Sequence, residues 1–230
     1  MIYTISDLHL SLSGEKPMDI FGDNWADHEK KIRSNWLEKV AEEDIVLIPG
    51  DISWALKLPD AMKDLEFLQA LPGRKLFVKG NHDLWWSSLA KIRALGLRDM
   101  HFIQNDSVEL DGISFCGTRG WNLPEDGPLS PEDEKIYLRE LKRLELSLES
   151  AKTDKIIALL HFPPFARNGE PGEFVRLLEK YPVTACVYGH IHNRFDNRGF
   201  VDGVHQGIRY QLASCDYLGF DLSVVESRNE

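Results

Sequence analysis

The sequence has few cysteines, no long hydrophobic run and fewer basic than acidic residues. Its three cysteines, Cys116, Cys186 and Cys215, are far apart and odd in number, which argues against a disulfide framework or a Cys-x-x-Cys metal site. No apolar run approaches the ~20 residues that a membrane span needs, and the N-terminus lacks the pattern of a signal peptide. We therefore expect a cytoplasmic protein in a reducing compartment, with no membrane partner.

Basic residues are in the minority, since 27 lysines and arginines face 37 aspartates and glutamates, for a net charge of −10. Long nucleic acids require clusters of Lys and Arg, so we do not expect one as a partner. A small anionic substrate remains possible, because bound divalent ions can make a local site positive. The chain shows no repeats or low-complexity linker, and we expect residues 1–230 to form a single domain.

Short apolar runs alternate with helical patterns along the first 100 residues, and this order favours an α/β fold with parallel strands. Strands are predicted at 2–5, 45–48, 75–78, 107–110, 113–116, 156–160, 183–188, 208–213 and 220–225. Helices are predicted at 27–40, 59–71, 85–95, 130–151 and 173–180. The stretches 11–28 and 117–131 are expected to be loops, the first of them a candidate flap over a site.

Residues able to bind metal follow five of the apolar runs. They are Asp7 with His9, Asp51, Asn81 with His82 and Asp83, His161, and His190 with His192. Five of the eight histidines of the chain stand at these strand ends. The mixture of carboxylate, amide and imidazole donors suits manganese, iron or zinc better than calcium or a thiolate-bound zinc. The number of donors exceeds one tetrahedral site, so we expect two divalent ions that share a carboxylate.

In this order the motifs resemble those of the calcineurin-like metallophosphoesterases. The family pattern appears here as Asp7-Leu8-His9, Gly50-Asp51, Gly80-Asn81-His82-Asp83, His161 and Gly189-His190-Ile191-His192. The resemblance extends over residues 7–192 and fills every ligand position of the family. It implies a four-layer α-β-β-α sandwich of two mixed sheets, with a dinuclear metal site at the C-terminal edge of the strands.

The resemblance also implies a role for each residue of the motifs. One ion would be held by Asp7, His9, Asp51 and His192, and the other by Asp51, Asn81, His161 and His190. A metal-bridging hydroxide would attack phosphorus, while His82 would protonate the leaving oxygen or stabilise its charge. Asp83 is a second catalytic candidate if it orients His82; alternatively, and in our view preferably, it fastens the backbone of the turn.

One departure from the family concerns the extended motif Gly-Asp-x-x-Asp-Arg, which reads Gly-Asp-x-x-Trp54-Ala55 here. The partner of the catalytic histidine and a phosphate-binding arginine are therefore missing, which argues against a protein phosphatase. Arg119 and Arg194 are candidate phosphate binders, because guanidinium matches phosphate oxygens, but each could equally be a surface cation. Trp54 is a candidate substrate contact. It belongs to a set of aromatic residues that could stack on a substrate or merely pack: Trp54, Trp85, Trp86, Trp121 and Phe165.

The expected function is metal-dependent hydrolysis of a small phosphodiester or phosphomonoester. The missing Asp-Arg pair, the Gly-Asn-His-Asp ending and the lack of a large cap insertion favour phosphodiesters or nucleotide-type substrates. Two alternatives stay open at this point. One is a nuclease that acts on short nucleic acids, and the other is an interaction scaffold that no longer turns over substrate.

Overall fold

The computed structural model describes residues 1–14, 16–124, 127–192 and 201–226. The strands are β1 (Ile2–Thr4), β2 (Ile45–Ile48), β3 (Arg74–Phe77), β4 (Met100–Phe102), β5 (Ser107–Leu110), β6 (Ile113–Thr118), β7 (Ile156–Leu160), β8 (Val183–Tyr188), β9 (Gly203–His205), β10 (Ile208–Leu212) and β11 (Ser223–Glu226). The α-helices are α1 (His28–Lys39), α2 (Leu58–Gln69), α3 (Leu89–Arg93), α4 (Pro131–Glu149) and α5 (Glu173–Leu178).

The strands form two mixed sheets. The first has the order β11-β1-β2-β3-β4, in which β1 to β4 are parallel and β11 is antiparallel to β1. The second has the order β5-β6-β7-β8-β10-β9, in which β6, β7, β8 and β10 are parallel and the two edge strands are antiparallel. The motifs lie in the loops at the C-terminal ends of five of the parallel strands, β1, β2, β3, β7 and β8.

Alternate residues of the central strands point into different cores. Ile45 and Leu47 of β2 lie in a core shared by the two sheets, whereas Val46 and Ile48 pack with residues of α1 and α2. The second sheet behaves in the same way, since its outer face packs with residues of α4 and α5. Because a strand presents successive side chains to opposite faces of the sheet, these apolar runs bury both faces of each sheet. The predicted four-layer α-β-β-α arrangement is confirmed.

Some elements differ from the sequence prediction. The short strands β4 and β9 were not predicted, because three residues beside Gly or Asp give no detectable alternation. Helix α3 spans only Leu89–Arg93 of the predicted 85–95, and the strand predicted at 220–225 is β11, Ser223–Glu226. The loop at 11–28 contains two short 3₁₀ turns, Met18–Phe21 and Asp23–Trp25. All three cysteines are free and buried, and no helix in the described part of the chain is long and apolar enough to cross a membrane.

Candidate metal centre

The predicted ligands lie in turns that follow the strands, and four of these ligands, in three of the turns, have unusual backbone geometry. Asp7, His9, Asp51 and His190 have φ values of 56°, 45°, 51° and 74°. Non-glycine residues seldom adopt positive φ, and strained backbone of this kind is concentrated at functional sites. The chain therefore bends sharply at four of the positions that the motifs single out.

Two motif glycines allow these turns to come together. A Cβ added to Gly80 would collide with the Asp51 backbone and would lie 2.8 Å from Asp51 Cγ. A Cβ added to Gly189 would collide with the Asp7 carboxylate and would lie 3.1 Å from Ser6 Cβ. Only glycine fits where the backbone approaches a neighbouring loop so closely. The glycines therefore set the distance between loops that come from different strands.

Asp7, His9 and His192 form a first group of donors. His192 Nε2 lies 3.3 Å from Asp7 Oδ1 and 3.4 Å from His9 Nε2. The donor atoms of the three residues all lie within 4.8 Å of one another, which is close enough for one ion. Asp51 Oδ2 is 3.8 Å from His9 Nε2, so its carboxylate borders this group.

Asn81, His161 and His190 form a second group, and the donor atoms of Asp7, Asp51 and His161 also lie within 4.8 Å of one another. Asn81 Oδ1 lies 2.6 Å from His161 Nε2 and 2.9 Å from His190 Nδ1. Asp51 Oδ2 is 3.5 Å from His161 Nε2. A single carboxylate oxygen therefore lies between the two groups, at the place where a bridging ligand is expected.

Burial and mutual repulsion perturb the charged groups of the site. Burial raises the pKa of Asp51 well above its usual range, and the charges of Asp7 and Asp83 raise it further. Burial alone would also raise the pKa of Asp7, but the hydrogen bond and charge of His192 hold it well below its usual range. Burial lowers the pKa of His161 to about 3, so that its ring is neutral at physiological pH. Nearby carboxylates and neutral imidazoles are what a divalent cation requires.

Unsatisfied polar atoms support the same interpretation. The Nδ1 of His161 lies 3.0 Å from the carbonyl oxygen of Pro49 and donates to it, which leaves a lone pair on Nε2 directed at another acceptor, Asn81 Oδ1. Such a pair of acceptors is satisfied by a shared cation. His9 Nδ1 is also buried without a hydrogen-bond partner among the described residues. The donor set therefore fits a metal ion on chemical grounds.

His82 lies beside this cluster and is partly exposed. Its backbone N–H donates to Asp51 Oδ1 at 2.8 Å, which fixes the start of the turn. The imidazole has no hydrogen-bond partner among the described residues. Instead, it packs at 4.4 Å from the Trp54 ring and 5.6 Å from the His9 ring. Trp54, which replaces the family aspartate, thus fixes the position of His82 by aromatic contact.

Asp83 fastens the turn. Its carboxylate is fully buried and accepts four hydrogen bonds, three from backbone N–H groups and one from an indole. The backbone donors belong to Gly80, Ile52 and Ser53, at 2.8–3.1 Å, and the indole to Trp85. Both carboxylate oxygens are engaged by the two ligand loops. These contacts favour the structural alternative over a direct role for Asp83 in catalysis.

Comparison with known proteins agrees with the geometry. The profile of the calcineurin-like phosphoesterases matches residues 1–194. The chain belongs to this family. Family membership implies metal-dependent phosphoester hydrolysis and makes the protein a metal-binding hydrolase. The predicted family is confirmed.

Three related proteins align with this chain over different fractions of their length. An uncharacterised protein of Methanocaldococcus jannaschii is 31% identical over 144 residues, which are 59% of this chain and 78% of that protein. The gene 66 protein of Mycobacterium phage D29 is 25% identical over 173 residues, which are 74% of this chain and 70% of that protein. Human tartrate-resistant acid phosphatase type 5 is 32% identical over 90 residues, but these cover only 36% of this chain and 27% of that protein.

Solved structures share the fold at low identity. A phosphopantetheinyl hydrolase from Mycobacterium tuberculosis superposes with a TM-score of 0.61 at 16% identity, and the match covers 100% of this chain and 97% of that one. A protein of unknown function from Aquifex aeolicus gives a TM-score of 0.51 at 21% identity, with 96% and 94% covered. At these identities the likeness concerns the fold alone.

Asp216 belongs to the site but carries no motif and was not predicted. His192 Nδ1 lies 2.9 Å from Asp216 Oδ1, and the Asp216 side chain is fully buried. Although burial of the ring opposes its charge, hydrogen bonds to Asp216 and Asp7 raise the pKa of His192 to about 10. A carboxylate that accepts from Nδ1–H orients Nε2 toward Asp7, where a bound metal ion would displace the Nε2 proton. Asp216 thus orients a candidate ligand from behind.

The loop at 11–28 also contributes unpredicted neighbours. The buried Trp25 ring lies 6.0 Å from His9 and 5.9 Å from His192. Trp54 donates to Met18 Sδ at 2.9 Å. The loop therefore covers one side of the donor groups, in agreement with its expected position as a flap. No sequence signal distinguished Trp25 from the other aromatic residues.

The candidate substrate contacts are dispersed. Trp54 stacks on the His9 ring at 4.7 Å, and the Lys16 ammonium lies 4.4 Å above the Trp54 ring. The Arg119 guanidinium is directed to Glu140, 3.7 Å away, and lines a separate pocket. Arg194 lies outside the described residues. Among the other aromatic candidates, Trp85, Trp86 and Phe165 are buried. Trp121 is partly buried, and its indole donates to a carboxylate on α4.

Proposed function

We propose that the protein hydrolyses a small phosphodiester or phosphomonoester with two divalent ions, drawn from manganese, iron and zinc. The observation that carries this proposal is the convergence of seven donor residues from five loops beside the partly exposed imidazole of His82. The family supplies the reaction class, and the donor chemistry supplies the type of ion.

We assign the donors to the two ions as in the family. The first ion would be held by Asp7, His9, Asp51 and His192, and the second by Asp51, Asn81, His161 and His190. The bridging role of Asp51 is supported by the position of its Oδ2 between His9 and His161. When bound, the ions would polarise the phosphate and lower the pKa of a water that attacks phosphorus.

His82 would act on the substrate rather than on a metal. Burial lowers the pKa of its imidazole, and the neighbouring Lys16 contributes in the same direction. A phosphate anion beside the ring would favour the protonated form, from which His82 can donate to the leaving oxygen. Help of this kind is worth about 10²–10⁴ in rate.

Lys16 would replace the missing arginine of the family motif. Its ammonium is held over the indole of Trp54, and its charge acts on His82. A cation at this side of the site can attract a phosphate oxygen without being a metal ligand. Trp54, which stands at the position of the family aspartate, would thus hold a substitute cation, Lys16, from the loop at 11–28.

The direct test is hydrolysis of bis-p-nitrophenyl phosphate and p-nitrophenyl phosphate with added Mn²⁺, together with measurement of bound metal. We expect His82→Ala to lower kcat by about 10²-fold or more while metal content is unchanged. His205→Ala, a histidine at the edge of the second sheet, is the matched control and should retain activity. Bound metal without turnover of either ester, or an unaffected His82→Ala variant, would overturn the proposal.

A second measurement addresses the bridge. Asp51→Ala should lose both ions, because its carboxylate is the proposed shared ligand. Two tightly held metals in this variant would contradict the assignment. A screen of nucleotides, sugar phosphates, a phosphopantetheine diester and short oligonucleotides would then identify the substrate. Hydrolysis of the oligonucleotides alone would favour the nuclease alternative, which the net charge of −10 otherwise disfavours for long chains.

A further inference from the structure

A second cluster of charged residues lies beside the metal centre and takes no part in it. It lines a cavity of about 190 Å³ between β6, α4 and the turn after β3. We call it the Arg119 pocket and define it by Lys79, Trp86, Arg119, Arg139, Glu140 and Arg143. Lys79 directly precedes Gly80, and the carbonyl of Arg119 accepts from the backbone N–H of His161 at 3.0 Å. The pocket therefore shares its backbone with two ligand loops.

The pocket carries an excess of positive charge. Four of its defining residues are cations, and Glu140 is the only acid among its lining residues. The Glu140 side chain is fully buried and accepts from Thr118 Oγ1 at 2.5 Å and from Arg143 at 2.7 Å. Arg139 and Arg119 are more distant, at 3.5 and 3.7 Å. One carboxylate thus serves several guanidinium groups in a protein whose net charge is −10.

Two buried donors in the pocket have no hydrogen-bond partner among the described residues. They are Arg119 Nε and the indole Nε1 of Trp86. Both residues line the cavity, so an acceptor bound there would lie beside these donors. An unpaired buried N–H is unfavourable, and a ligand that accepts hydrogen bonds would satisfy it.

The four cations of the pocket surround one carboxylate, Glu140, so they repel one another across the cavity. An anion in the pocket would reduce this repulsion. Planar guanidinium groups and N–H donors match tetrahedral oxyanions well.

We propose that the Arg119 pocket binds a phosphate group at a second site, separate from the metal centre. The cavity of about 190 Å³ is smaller than a typical drug-sized pocket and suits a single small anion. The phosphate could be inorganic phosphate, or it could be a second phosphate on the substrate. The shared chemistry is a dianionic phosphate whose oxygens accept from arginine and indole N–H groups.

The test separates this site from the metal centre. Phosphate binding is measured by isothermal titration calorimetry on two metal-free samples of the whole chain. One carries Asp51→Ala, and the other is wild type treated with a chelator. The second sample is sufficient if the variant misfolds. We expect one saturable phosphate site in both. Adding Arg139→Gln, at a half-exposed position, should weaken it about 10-fold or more. Lys142→Gln removes an exposed charge from the same helix and should leave it unchanged.

A second arm distinguishes the two sources of phosphate, and this arm rests on the proposed function. If the group belongs to the substrate, a bisphosphorylated ester should have a lower KM than its monophosphorylated analogue, and Arg139→Gln should abolish the difference. If the ligand is inorganic phosphate, the ratio of the KM values of the two esters should be the same in the wild type and in Arg139→Gln. If neither ester is hydrolysed, the proposed function fails, but the phosphate titration still tests the second site. A titration with no saturable site, or one insensitive to Arg139→Gln, would overturn the second site.

Discussion

Replacing Asp216 by alanine should weaken the binding of one metal ion. In the structure, the buried Asp216 carboxylate accepts from His192 Nδ1–H at 2.9 Å, which directs His192 Nε2 toward Asp7 and His9. Without it, the imidazole can rotate or adopt the other tautomer. Loss of such a partner typically costs 10- to 100-fold in metal affinity, or about 1.4–2.7 kcal/mol.

The assay is a calorimetric titration of the metal-free chain with Mn²⁺. We expect Asp216→Ala to weaken the ion held by His192 by this factor and to leave the ion near Asn81 within about 3-fold. Asp216→Asn retains an oxygen that can accept from Nδ1–H, so it should restore part of the affinity. This partial rescue would not follow if Asp216 only supported the fold.

Asp221→Asn serves as the control, because this carboxylate lies nearby but is partly exposed and pairs with Lys39. It should bind both ions as the wild type does. The reasoning would be refuted if Asp216→Ala bound Mn²⁺ with wild-type affinity. It would also be refuted if both ions weakened equally, since the geometry assigns Asp216 to His192 alone among the proposed ligands.

Three further outcomes follow from the site. Gly80→Ala should abolish tight metal binding, measured by titration, because the new Cβ would collide with the Asp51 backbone; wild-type affinity would contradict the packing. Asp83→Asn should lower the free energy of unfolding, measured in urea, by about 2–3 kcal/mol, since at least one buried N–H loses its acceptor; a loss below about 0.5 kcal/mol would contradict this role. Lys16→Gln should raise KM for phosphoesters about 2–5-fold at low salt with little change in kcat, whereas Lys31→Gln, which removes a lysine over a different ring, should not; equal effects would contradict a specific role.

The convergence of the candidate metal donors could be predicted because their signals are local. Each follows an apolar run, and parallel strands bring their C-terminal ends to one edge whatever the details of the helices. Asp51 and His161 therefore meet although 110 residues separate them in the sequence. The four-layer arrangement came from the family resemblance, since strand patterns alone did not pair the strands of the second sheet.

The supporting residues could not be predicted, because their role depends on the path of the chain in three dimensions. Asp216 lies in a turn after β10 that has no motif, and it reaches His192 only because β8 and β10 are neighbours. Arg119 was a candidate phosphate binder or, equally, a surface cation. Its sequence position gave no sign of Glu140, which approaches from α4 and directs the guanidinium into another pocket.

The positive φ angles at Asp7, His9, Asp51 and His190 have a consequence for protein design. Donor atoms at these positions are placed by the direction of the main chain more than by the reach of the side chain. A designer who copied only the side chains onto regular strand ends would point them away from a common centre. Transfer of this chemistry to another scaffold therefore requires the whole loops, with the glycines that let them touch.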